Sequence, residues 1–361
     1  MTSHAKKVCL VSISLGRGGA ERSTAMLSAM LHSLGYDVHL VILNDVIDYD
    51  FAGTLFNLGI DKTGNDTFLK RLARFKKLRT YFRKEKFDLI IDNRNRSSAS
   101  KELYYLKYLY KNQTIIYVAR SFKLENYFPK NAIVAKAMIK KSKAIVGVSK
   151  AIARRINKAY ETDKAICIYN PVAVVQPSEY EADSNYILWS GRLVDAVKNV
   201  SLLLEAYSQS DLIKNKVQLK IYGDGPDKGI LVRRTKQLRI DHCVDFYPFT
   251  PAISDVVEGA KYVVLTSHYE GFPRAIIEAL ALGTPAISVD CESGPSEIIQ
   301  SGNNGLLVDN YDVDALTTAM NRFIFDKKLY ALCKSNASAS VAHLDAAAIA
   351  KDWQLLIEKH T

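Results

Sequence analysis

The chain has 361 residues, of which 48% are hydrophobic and 24% are charged, and its formal net charge is +11. This length exceeds what one core ordinarily serves and indicates two domains of about 100–200 residues each. No uninterrupted apolar run reaches the roughly 18 residues of a membrane-spanning helix. The five scattered cysteines include no Cys-x-x-Cys pair, which argues against a disulfide framework or a zinc site and favours a reducing compartment.

The charge is distributed unevenly along the chain. Residues 1–170 hold 31 Lys and Arg against 14 Asp and Glu, a net charge of +17, whereas residues 171–361 hold 18 against 24, a net charge of −6. A basic half joined to an acidic half suggests two domains with different partners. The partner of the basic half is expected to be nucleic acid or an anionic membrane surface.

Short apolar runs alternate with amphipathic helical patterns, which predicts parallel sheets built from βα units. The predicted strands of the first half are 7–14, 37–43, 88–92, 114–118, 143–149 and 165–170. Those of the second half are 185–191, 217–223, 260–267 and 284–290. Residues 171–185 contain two prolines and no periodicity, so we expect a linker there.

The predicted fold is therefore α/β, with two doubly wound parallel-sheet (Rossmann-like) domains facing a cleft. The domains are expected at 1–170 and 171–340, and residues 341–361 are expected to form a helix that packs back on the first domain. Ligands of such sheets bind beyond the carboxyl ends of the strands, so the loops at those ends are the candidate sites.

The first such loop contains Gly18 and Gly19 and opens a helix, whose N-terminal N–H groups suit a phosphate. A tight turn that binds nothing remains an alternative. The loop fails as a dinucleotide fingerprint because Glu21 stands where a third glycine is required, and only Asp45 is a weak candidate for the acid that should follow. This disfavours a nicotinamide-dependent oxidoreductase.

Two further loops follow strands of the second domain. Arg192 and Lys198 flank the start of a helix, where they could clamp a diphosphate. Taken alone, both side chains could equally be ordinary solvated cations. Asp224 lies in a Gly-Asp-Gly-Pro turn that by itself needs no ligand.

The fourth loop, within residues 267–280, carries two acids around a helix start. Gly271 frees the backbone, Pro273 favours the first turn of a helix, and Glu270 lies just before it. Glu278 follows two turns later in an apolar sequence, where acids rarely occur unless they are paired or face a cleft. Two carboxylates beside backbone N–H groups suit a polyhydroxylated ligand that bears a phosphate.

Together these motifs resemble the GT-B glycosyltransferases of the large retaining family 4, which includes bacterial glycan and lipid-linked oligosaccharide glycosyltransferases. The matching segments are "GGAER" at 18–22, "GRL" at 191–193 with Lys198 and Asn199, "GDGP" at 223–226, Glu270-x7-Glu278, "SGPSEII" at 293–299 and "NNGLLV" at 303–308. The resemblance covers essentially the whole chain and is strongest over 185–310.

The resemblance implies a role for each loop. Arg192 and Lys198 would hold the donor diphosphate as it leaves, Glu270 would bind hydroxyls of the transferred sugar, and Glu278 would bind the ribose. The implied donor-binding set is Gly18, Gly19, Arg192, Lys198, Asp224, Glu270, Gly271, Phe272 and Glu278. The implied catalytic set is Arg120, Arg192, Lys198 and Glu270.

The implied reaction moves a hexose or N-acetylhexosamine from a nucleotide sugar, by family habit a UDP-sugar, to a lipid-linked or surface-polysaccharide acceptor. The first domain would bind the acceptor and the second the donor. The family implies retention of configuration, no metal and no other cofactor. Of two Asp-x-Asp patterns, at 48–50 and 312–314, the second is expected to be a helix N-cap.

One position departs from the family pattern. Many relatives place a histidine in the segment that here reads Val118–Phe122, and this chain has Arg120 there. An arginine stays protonated near neutral pH, so Arg120 would stabilise charge or position the acceptor rather than exchange a proton.

A basic helix is predicted near residues 68–86, with nine Lys and Arg and one acid over 70–86. The apolar residues Phe68, Leu72, Phe75 and Phe82 recur at helical spacing and are expected to form its packed face. The cations Lys70, Arg71, Arg74 and Lys77 are expected to contact anionic lipid or a lipid acceptor bearing a diphosphate. An ordinary solvated helix face is the alternative.

The expected location is cytoplasmic, peripherally attached to the inner face of the cell membrane. Two other functional classes remain open. A nucleic-acid-binding protein could use the basic helix, but no nucleic-acid-binding motif is recognisable and the acidic half would have no role. A sugar-nucleotide epimerase or a phosphorylase could share the fold without sharing the transfer reaction.

Overall fold

The computed structural model describes residues 5–16, 18–62, 67–172, 185–250 and 252–361. The chain divides into two compact units. The first comprises residues up to Pro171 together with Ala346–Thr361, and the second comprises Val172–Asp345. Most of the predicted linker, residues 173–184, lies outside the described residues.

The first unit is a parallel sheet flanked by helices. Its strands are β1 (Lys7–Ser12), β2 (Asp37–Ile42), β3 (Thr54–Asn57), β4 (Leu89–Asp92), β5 (Ile115–Ala119), β6 (Ala144–Gly147) and β7 (Ala165–Cys167). Its helices are α1 (Gly19–Ser33), α2 (Phe68–Glu85), α3 (Ala99–Tyr104), α4 (Ala132–Lys141), α5 (Lys150–Tyr160) and α14 (Ala346–His360). A π-helical turn, Tyr105–Leu109, continues α3.

The second unit repeats this architecture. Its strands are β8 (Tyr186–Ser190), β9 (Gln218–Tyr222), β10 (Val244–Tyr247), β11 (Val263–Leu265), β12 (Ala286–Asp290) and β13 (Gly305–Asp309). Its helices are α6 (Asp195–Lys198), α7 (Val200–Gln209), α8 (Lys228–Gln237), α9 (Ser254–Glu258), α10 (Arg274–Ala281), α11 (Pro295–Ile298), α12 (Val313–Phe325) and α13 (Lys327–Ser340).

The strand order places a switch point in each sheet. Within the described residues the orders are β3-β2-β1-β4-β5-β6-β7 and β10-β9-β8-β11-β12-β13, with every pairing parallel. The order therefore reverses between β1 and β4 in the first unit and between β8 and β11 in the second. In doubly wound sheets, ligands bind beyond the carboxyl ends of the strands at such points. The predicted α/β fold class is confirmed.

Most of the predicted strands are well buried, although the predicted edge strand β7 has only one buried residue of three. All five residues of β5 are buried, because helices cover both faces of a parallel sheet. Three strands that were not predicted, β3, β10 and β13, are edge strands with exposed or half-exposed residues. Their sequences carry a weaker apolar signal because only part of each strand faces the core.

Helix α14 belongs to the first unit although it follows the second unit in sequence. It packs against α1, and its Trp353 and Ile357 are 4% and 0% exposed. The first unit is therefore built from two stretches of chain separated by the whole second unit.

Candidate active site

The loops after β8 and β11 bring a lysine and a glutamate into contact at the switch point of the second unit. The Lys198 Nζ lies 2.5 Å from Glu270 Oε1, and the Ser267 hydroxyl donates to the same oxygen at 2.7 Å. The side chains of Lys198 and Glu270 are 22% and 12% exposed, so both are fixed yet reachable. Backbone bonds join the loops as well, since the amide of His268 donates to the carbonyl of Val197 at 2.9 Å.

The segment that follows β12 holds the Glu270 loop through hydrogen bonds. The amide of Glu270 donates to the carbonyl of Glu292 at 3.3 Å, and the Ser293 hydroxyl donates to the carbonyl of Gly271 at 2.7 Å. Gly294 has a φ of +108° and lies so close to Pro273 that a Cβ there would be 2.5 Å from its Cδ. The "SGPSEII" segment thus holds the Glu270 loop through glycine-specific backbone contact.

Glu278 has a partner within its own helix. Arg274 donates from Nε and Nη2 to Glu278 Oε1, at 3.0 and 2.7 Å. These side chains are 12% and 20% exposed, whereas the neighbouring Ile277 and Ala279 are fully buried. An ion pair one turn apart accounts for a charged residue in this apolar helix.

The glycine turns after β8 and β9 contact each other closely. A Cβ at Gly223, whose φ is +149°, would lie 1.8 Å from the carbonyl oxygen of Gly191. The carboxylate of Asp224 accepts the backbone amide of Phe249 at 3.0 Å, and its side chain is 54% exposed. Arg192, on the loop after β8, is exposed. The backbone carbonyl of Asp224 accepts the amide of Leu193 at 3.0 Å, so the turn after β9 supports the loop that presents Arg192.

In the first unit, Gly18 is the N-cap of α1 and Gly19 is its first residue, as predicted for a helix that opens directly after the glycine loop. The Gly18 carbonyl accepts the amide of Arg22 at 3.0 Å. A Cβ at Gly18 would meet only the flexible Glu21 side chain, at 2.1 Å from its Oε2. The backbone of Gly18 is extended, with a φ of −179°, so no strained conformation requires glycine at this position.

Arg120 lies directly after β5 and is held by two asparagines. Its Nη1 donates to Asn170 Oδ1 at 2.7 Å and its Nη2 donates to Asn93 Oδ1 at 2.9 Å. Asn93 and Asn170 are 5% and 6% exposed. The sequence singled out Arg120 but neither asparagine, because nothing in a local pattern shows that three strand ends meet.

A buried charged cluster lies beside Asn93. Asp92 accepts from Arg94 Nη2 at 2.7 Å and from the Tyr110 hydroxyl at 3.0 Å, and Arg94 also lies 3.2 Å from Glu102. Burial alone raises the pKa of Asp92, but the charges of Arg94 and Arg96 outweigh it and hold that pKa below its ordinary value. The cluster was not predicted, since a run of Asn and Arg after a strand usually indicates a solvated turn.

The basic helix α2 differs from its prediction at one end. Leu78 and Phe82 are buried, at 0% and 1% exposure, but Leu69 and Leu72 are 75% and 39% exposed. Leu72 was predicted on the packed face, and that prediction is wrong because no described element covers the first turns of α2 on that side. The side chain of Phe68 lies outside the described residues.

Several cations of α2 lie in the same turns as these exposed leucines. Lys70, Arg74 and Lys77 line one groove, in which Lys77 lies 2.8 Å from Asp61 and remains 53% exposed. Lys70 and Arg71 are exposed as well. The first half of α2 therefore presents apolar and cationic side chains together.

Two family models match consecutive parts of this sequence. The model described as Glycosyltransferase Family 4 matches residues 17–176, and the model described as Glycosyl transferases group 1 matches residues 174–340. Together they cover residues 17–340, which include every strand described above except β1 and every loop described above. The chain belongs to the family 4 glycosyltransferases of GT-B fold.

Curated relatives of this family 4 glycosyltransferase include two bacterial enzymes. The lipopolysaccharide 1,6-galactosyltransferase of Escherichia coli is 32% identical over 177 residues, which is 47% of this chain and 48% of that protein. The match thus spans about half of that relative. An N-acetylgalactosamine-N,N'-diacetylbacillosaminyl-diphospho-undecaprenol 4-alpha-N-acetylgalactosaminyltransferase of Campylobacter jejuni is 26% identical over 370 residues, covering 96% of this chain and 98% of the relative.

Among solved structures, a mutant of Staphylococcus aureus TarM in complex with fondaparinux, alpha-GlcNAc-glycerol and UDP has a TM-score of 0.80. The sequences are 14% identical over 98% of this chain and 99% of that one. At this identity the likeness establishes the fold alone.

In the structure of this family 4 glycosyltransferase, some predicted site residues contact one another, and another contacts a residue outside the predicted set. Lys198 and Glu270 are in direct contact, whereas Glu278 is bonded to Arg274. Ser267, which completes the Lys198–Glu270 contact, was not predicted, although its position three residues before Glu270 could have indicated it. Which of these residues touch a donor remains a prediction.

Two kinds of feature are absent from the described residues. No helix there is long and apolar enough to cross a membrane. No group of three or more His, Cys, Asp and Glu side chains is arranged to hold a metal ion in that part of the chain.

Asp312, in the second Asp-x-Asp pattern, caps α12 by accepting the amide of Ala315 at 2.8 Å, as predicted.

Proposed function

We propose that this glycosyltransferase moves a hexose or N-acetylhexosamine from a UDP-sugar to a lipid-linked or surface-polysaccharide acceptor, with retention of configuration and without a metal. The observation that carries the proposal is the contact between Lys198 and Glu270 at the switch point of the second unit. It joins a cation suited to a diphosphate with a carboxylate suited to sugar hydroxyls.

The Lys198–Glu270 contact supports a chemical division of labour. Breaking the anomeric C–O bond builds negative charge on the departing diphosphate, and a preorganised cation stabilises that charge most when it need not move during the reaction. Lys198 is held by Glu270 at 2.5 Å, and the exposed Arg192 adds a second cation on the neighbouring loop. Glu270 retains capacity to accept hydrogen bonds from sugar hydroxyls, because a carboxylate accepts about four.

Relatives support the donor and acceptor classes. The TarM mutant was crystallised with UDP, and the Campylobacter relative is named for transfer to a diphospho-undecaprenol saccharide. A lipid-linked acceptor also suits the basic first unit. We assign acceptor binding to that unit, donor binding to the second, and to Arg120 a cationic role in transfer.

The surface of α2 supports peripheral attachment to an anionic membrane. Cations and exposed leucines on one helix are the features of an interfacial segment, in which lysine and arginine contact lipid phosphates while apolar side chains enter the boundary region. Leu69 and Leu72 supply the apolar part, and Lys70, Arg71 and Lys77 supply cations on the same half of the helix. We therefore propose that the chain acts at the inner face of the cell membrane.

The first test is thermal unfolding of the purified protein with UDP, GDP, ADP or NAD, each with and without EDTA. A ligand at about 100 times its dissociation constant adds about 2.7 kcal/mol to the free energy of unfolding, which is readily measured. We expect stabilisation by UDP, unchanged by EDTA and lost in Lys198→Met. Stabilisation by NAD alone would overturn the proposal, and dependence on a divalent metal would overturn its metal-free part.

The second test separates transfer from the related reactions. UDP release from UDP-galactose or UDP-N-acetylgalactosamine is measured with and without a polyprenyl-diphosphate-linked saccharide. Transfer requires both substrates for full turnover, whereas an epimerase converts the sugar nucleotide without an acceptor and a phosphorylase requires phosphate. We expect turnover only with both, and about a 100-fold lower kcat in Lys198→Met.

A further inference from the structure

We propose that Asn93 and Asn170 are positioning residues that fix the guanidinium of Arg120 at the carboxyl edge of the first unit's sheet, where Arg120 acts as a cation in transfer. The inference rests on the proposed function and deepens it by naming the side chains through which Arg120 is oriented. Both asparagines lie in the same compact unit as Arg120.

Three strand ends converge on the guanidinium. Arg120 follows β5, Asn93 follows β4, and Asn170 lies three residues beyond β7. Arg120 Nη1 and Nη2 each bind a different asparagine, at 2.7 and 2.9 Å. Two contacts to separate atoms of a planar group fix both its position and the orientation of its plane. Because these strands are parallel, the contacts lie at the edge of the sheet where ligands of such folds bind.

The chemistry of the asparagines matters as much as their positions. A guanidinium offers only N–H donors, so each amide must turn its Oδ1 towards Arg120. An amide oxygen is neutral, and these two contacts therefore orient the guanidinium without cancelling its charge. Aspartate at either position would keep the geometry but form a charge-neutralising pair.

The orientation of Asn93 carries a cost for the fold. Its Nδ2 is buried and has no hydrogen-bond partner among the described residues. Leaving a buried donor unsatisfied is unfavourable, because the group loses its hydrogen bonds to water and gains none in the fold. The amide cannot turn over to relieve this, because its Oδ1 would then leave Arg120. A residue selected for stability alone would not be held this way, which favours a role in orienting Arg120.

The turn that carries Asn93 is rigid. The backbone N–H of Asn93 donates to the carbonyl of Val11 on β1 at 2.8 Å. Arg96 Nη1 donates to the carbonyls of Asp92 and Arg94, the residues on either side of Asn93, at 2.8 Å each. The buried charges of this segment thus hold the backbone on both sides of the asparagine, and supporting contacts of this kind preorganise a site.

The test compares aspartate substitutions that change charge and hardly change shape. The variants are Asn93→Asp and Asn170→Asp, with Asn93→Ser as a neutral replacement that keeps an oxygen acceptor. The matched control is Asn112→Asp, which adds the same charge at an exposed position of the first unit. Each protein is assayed for transfer from UDP-galactose or UDP-N-acetylgalactosamine, for UDP binding by calorimetry, and for thermal unfolding.

We expect Asn93→Asp and Asn170→Asp to lower kcat about 100-fold while the KM for the donor and the affinity for UDP stay unchanged, since the donor binds the second unit. Asn93→Ser should keep clearly more activity than Asn93→Asp, because it adds no charge. Equal activity of Asn93→Asp and Asn112→Asp overturns the inference. A loss of UDP affinity in Asn93→Asp as large as its loss of kcat also overturns it, since the substitution would then disturb more than Arg120.

Two outcomes separate this inference from the function on which it rests. If the unmodified protein binds UDP but transfers nothing with any donor, the proposed function fails and no variant is interpreted. If Asn93→Asp does not fold, Asn170→Asp decides, because each asparagine contacts a different nitrogen of Arg120. Wild-type kcat in a folded Asn170→Asp then overturns the inference.

Discussion

Arg274 and Glu278 are joined across one turn of α10, with two nitrogens of the arginine bound to a single oxygen of the glutamate. This contact explains how the helix tolerates an acid between buried apolar residues. It also means that the presence of Glu278 alone does not require a ligand. Glu278 could serve only the ion pair with Arg274, or it could also bind a ligand. Mutating Arg274 and Glu278 separately distinguishes these two roles.

We predict that Glu278→Ala loses the stabilisation by UDP, whereas Arg274→Ala keeps it. Both variants break the same ion pair, whose side chains are only 12% and 20% exposed, so the unfolding temperature without ligand should fall in both. Thermal unfolding with and without UDP measures both effects. If Glu278→Ala keeps the full UDP shift, Glu278 serves only to pair with Arg274.

The close contact between Gly223 and Gly191 predicts a large effect of one added methyl group. Gly223→Ala combines an unfavourable φ, which costs about 1–3 kcal/mol, with a collision against the Gly191 carbonyl. Gly35→Ala is the matched control, since Gly35 has a φ of +85° and open space where its Cβ would lie. We expect Gly223→Ala to be less stable than Gly35→Ala by about 1–3 kcal/mol or more, measured by chemical unfolding. Equal stabilities would contradict the contact.

The surface of α2 predicts binding to anionic lipid that depends on charge. Lys70→Glu with Arg71→Glu should lower sedimentation with vesicles containing phosphatidylglycerol, because each cation near such a surface contributes about 1 kcal/mol. The control, Lys327→Glu with Lys328→Glu, makes the same charge change at exposed positions of the second unit. Binding that ignores the anionic lipid fraction, or an equal loss in the control, would contradict the membrane proposal.

The exposed leucines of α2 make a separate contribution. Leu69→Ser with Leu72→Ser should weaken binding to the same vesicles even at high salt, where charge contacts are screened. Neither substitution should lower the unfolding temperature much, because the side chains are 75% and 39% exposed. Unchanged binding would mean that charge alone holds α2 at the surface.

A buried histidine in the first unit predicts how stability changes with pH. The His39 side chain is 7% exposed, with Nδ1 2.5 Å from the Tyr81 hydroxyl and Nε2 3.3 Å from Asp37. Burial lowers the pKa of His39 below its ordinary value of 6.5, and attraction to Asp37 offsets this only in part. Tyr81 then donates to Nδ1 while Nε2–H faces Asp37, so the neutral ring satisfies both contacts.

The sign of the effect follows from proton binding. The unfolded chain takes up a proton on His39 more readily than the folded protein, so the free energy of unfolding should fall as pH drops below about 6.5. Above that pH, His39 should contribute no slope. His39→Gln should reduce the slope between pH 7 and 5, whereas His32→Gln, at an exposed position, should not. Chemical unfolding across this range checks the prediction, and an unchanged slope in His39→Gln would contradict it.

The sequence predicted the fold where burial leaves a strong local signal. Strands such as β5 are apolar throughout because both faces are covered, and the restart of the pattern after residue 185 marked the second sheet. The edge strand β3 has no buried residue among its four, so its composition did not distinguish it from a loop. Leu72 was placed on the wrong face because helical spacing shows which residues align but not how far a neighbouring element extends.

The sequence named Lys198 and Glu270 as candidate site residues, but it did not show that the two are in contact. Lys198 and Glu270 are 72 residues apart, and they meet only because β8 and β11 are adjacent in the sheet. Strand order is determined by the packing of the whole unit, so no local sequence pattern reveals it. Asn93 and Asn170 were not predicted either, because an asparagine after a strand usually indicates only a turn. No local pattern shows that three strand ends meet at Arg120.

The split construction of the first unit has a consequence for synthesis on the ribosome. Strands β1 to β7 leave the ribosome long before Trp353 and Ile357, the two α14 residues that are buried in the first unit. While Val172–Asp345 is translated, the first unit therefore has an apolar surface that nothing yet covers. A chain whose translation stops anywhere in that stretch keeps this surface exposed, even though the fault lies in the other unit.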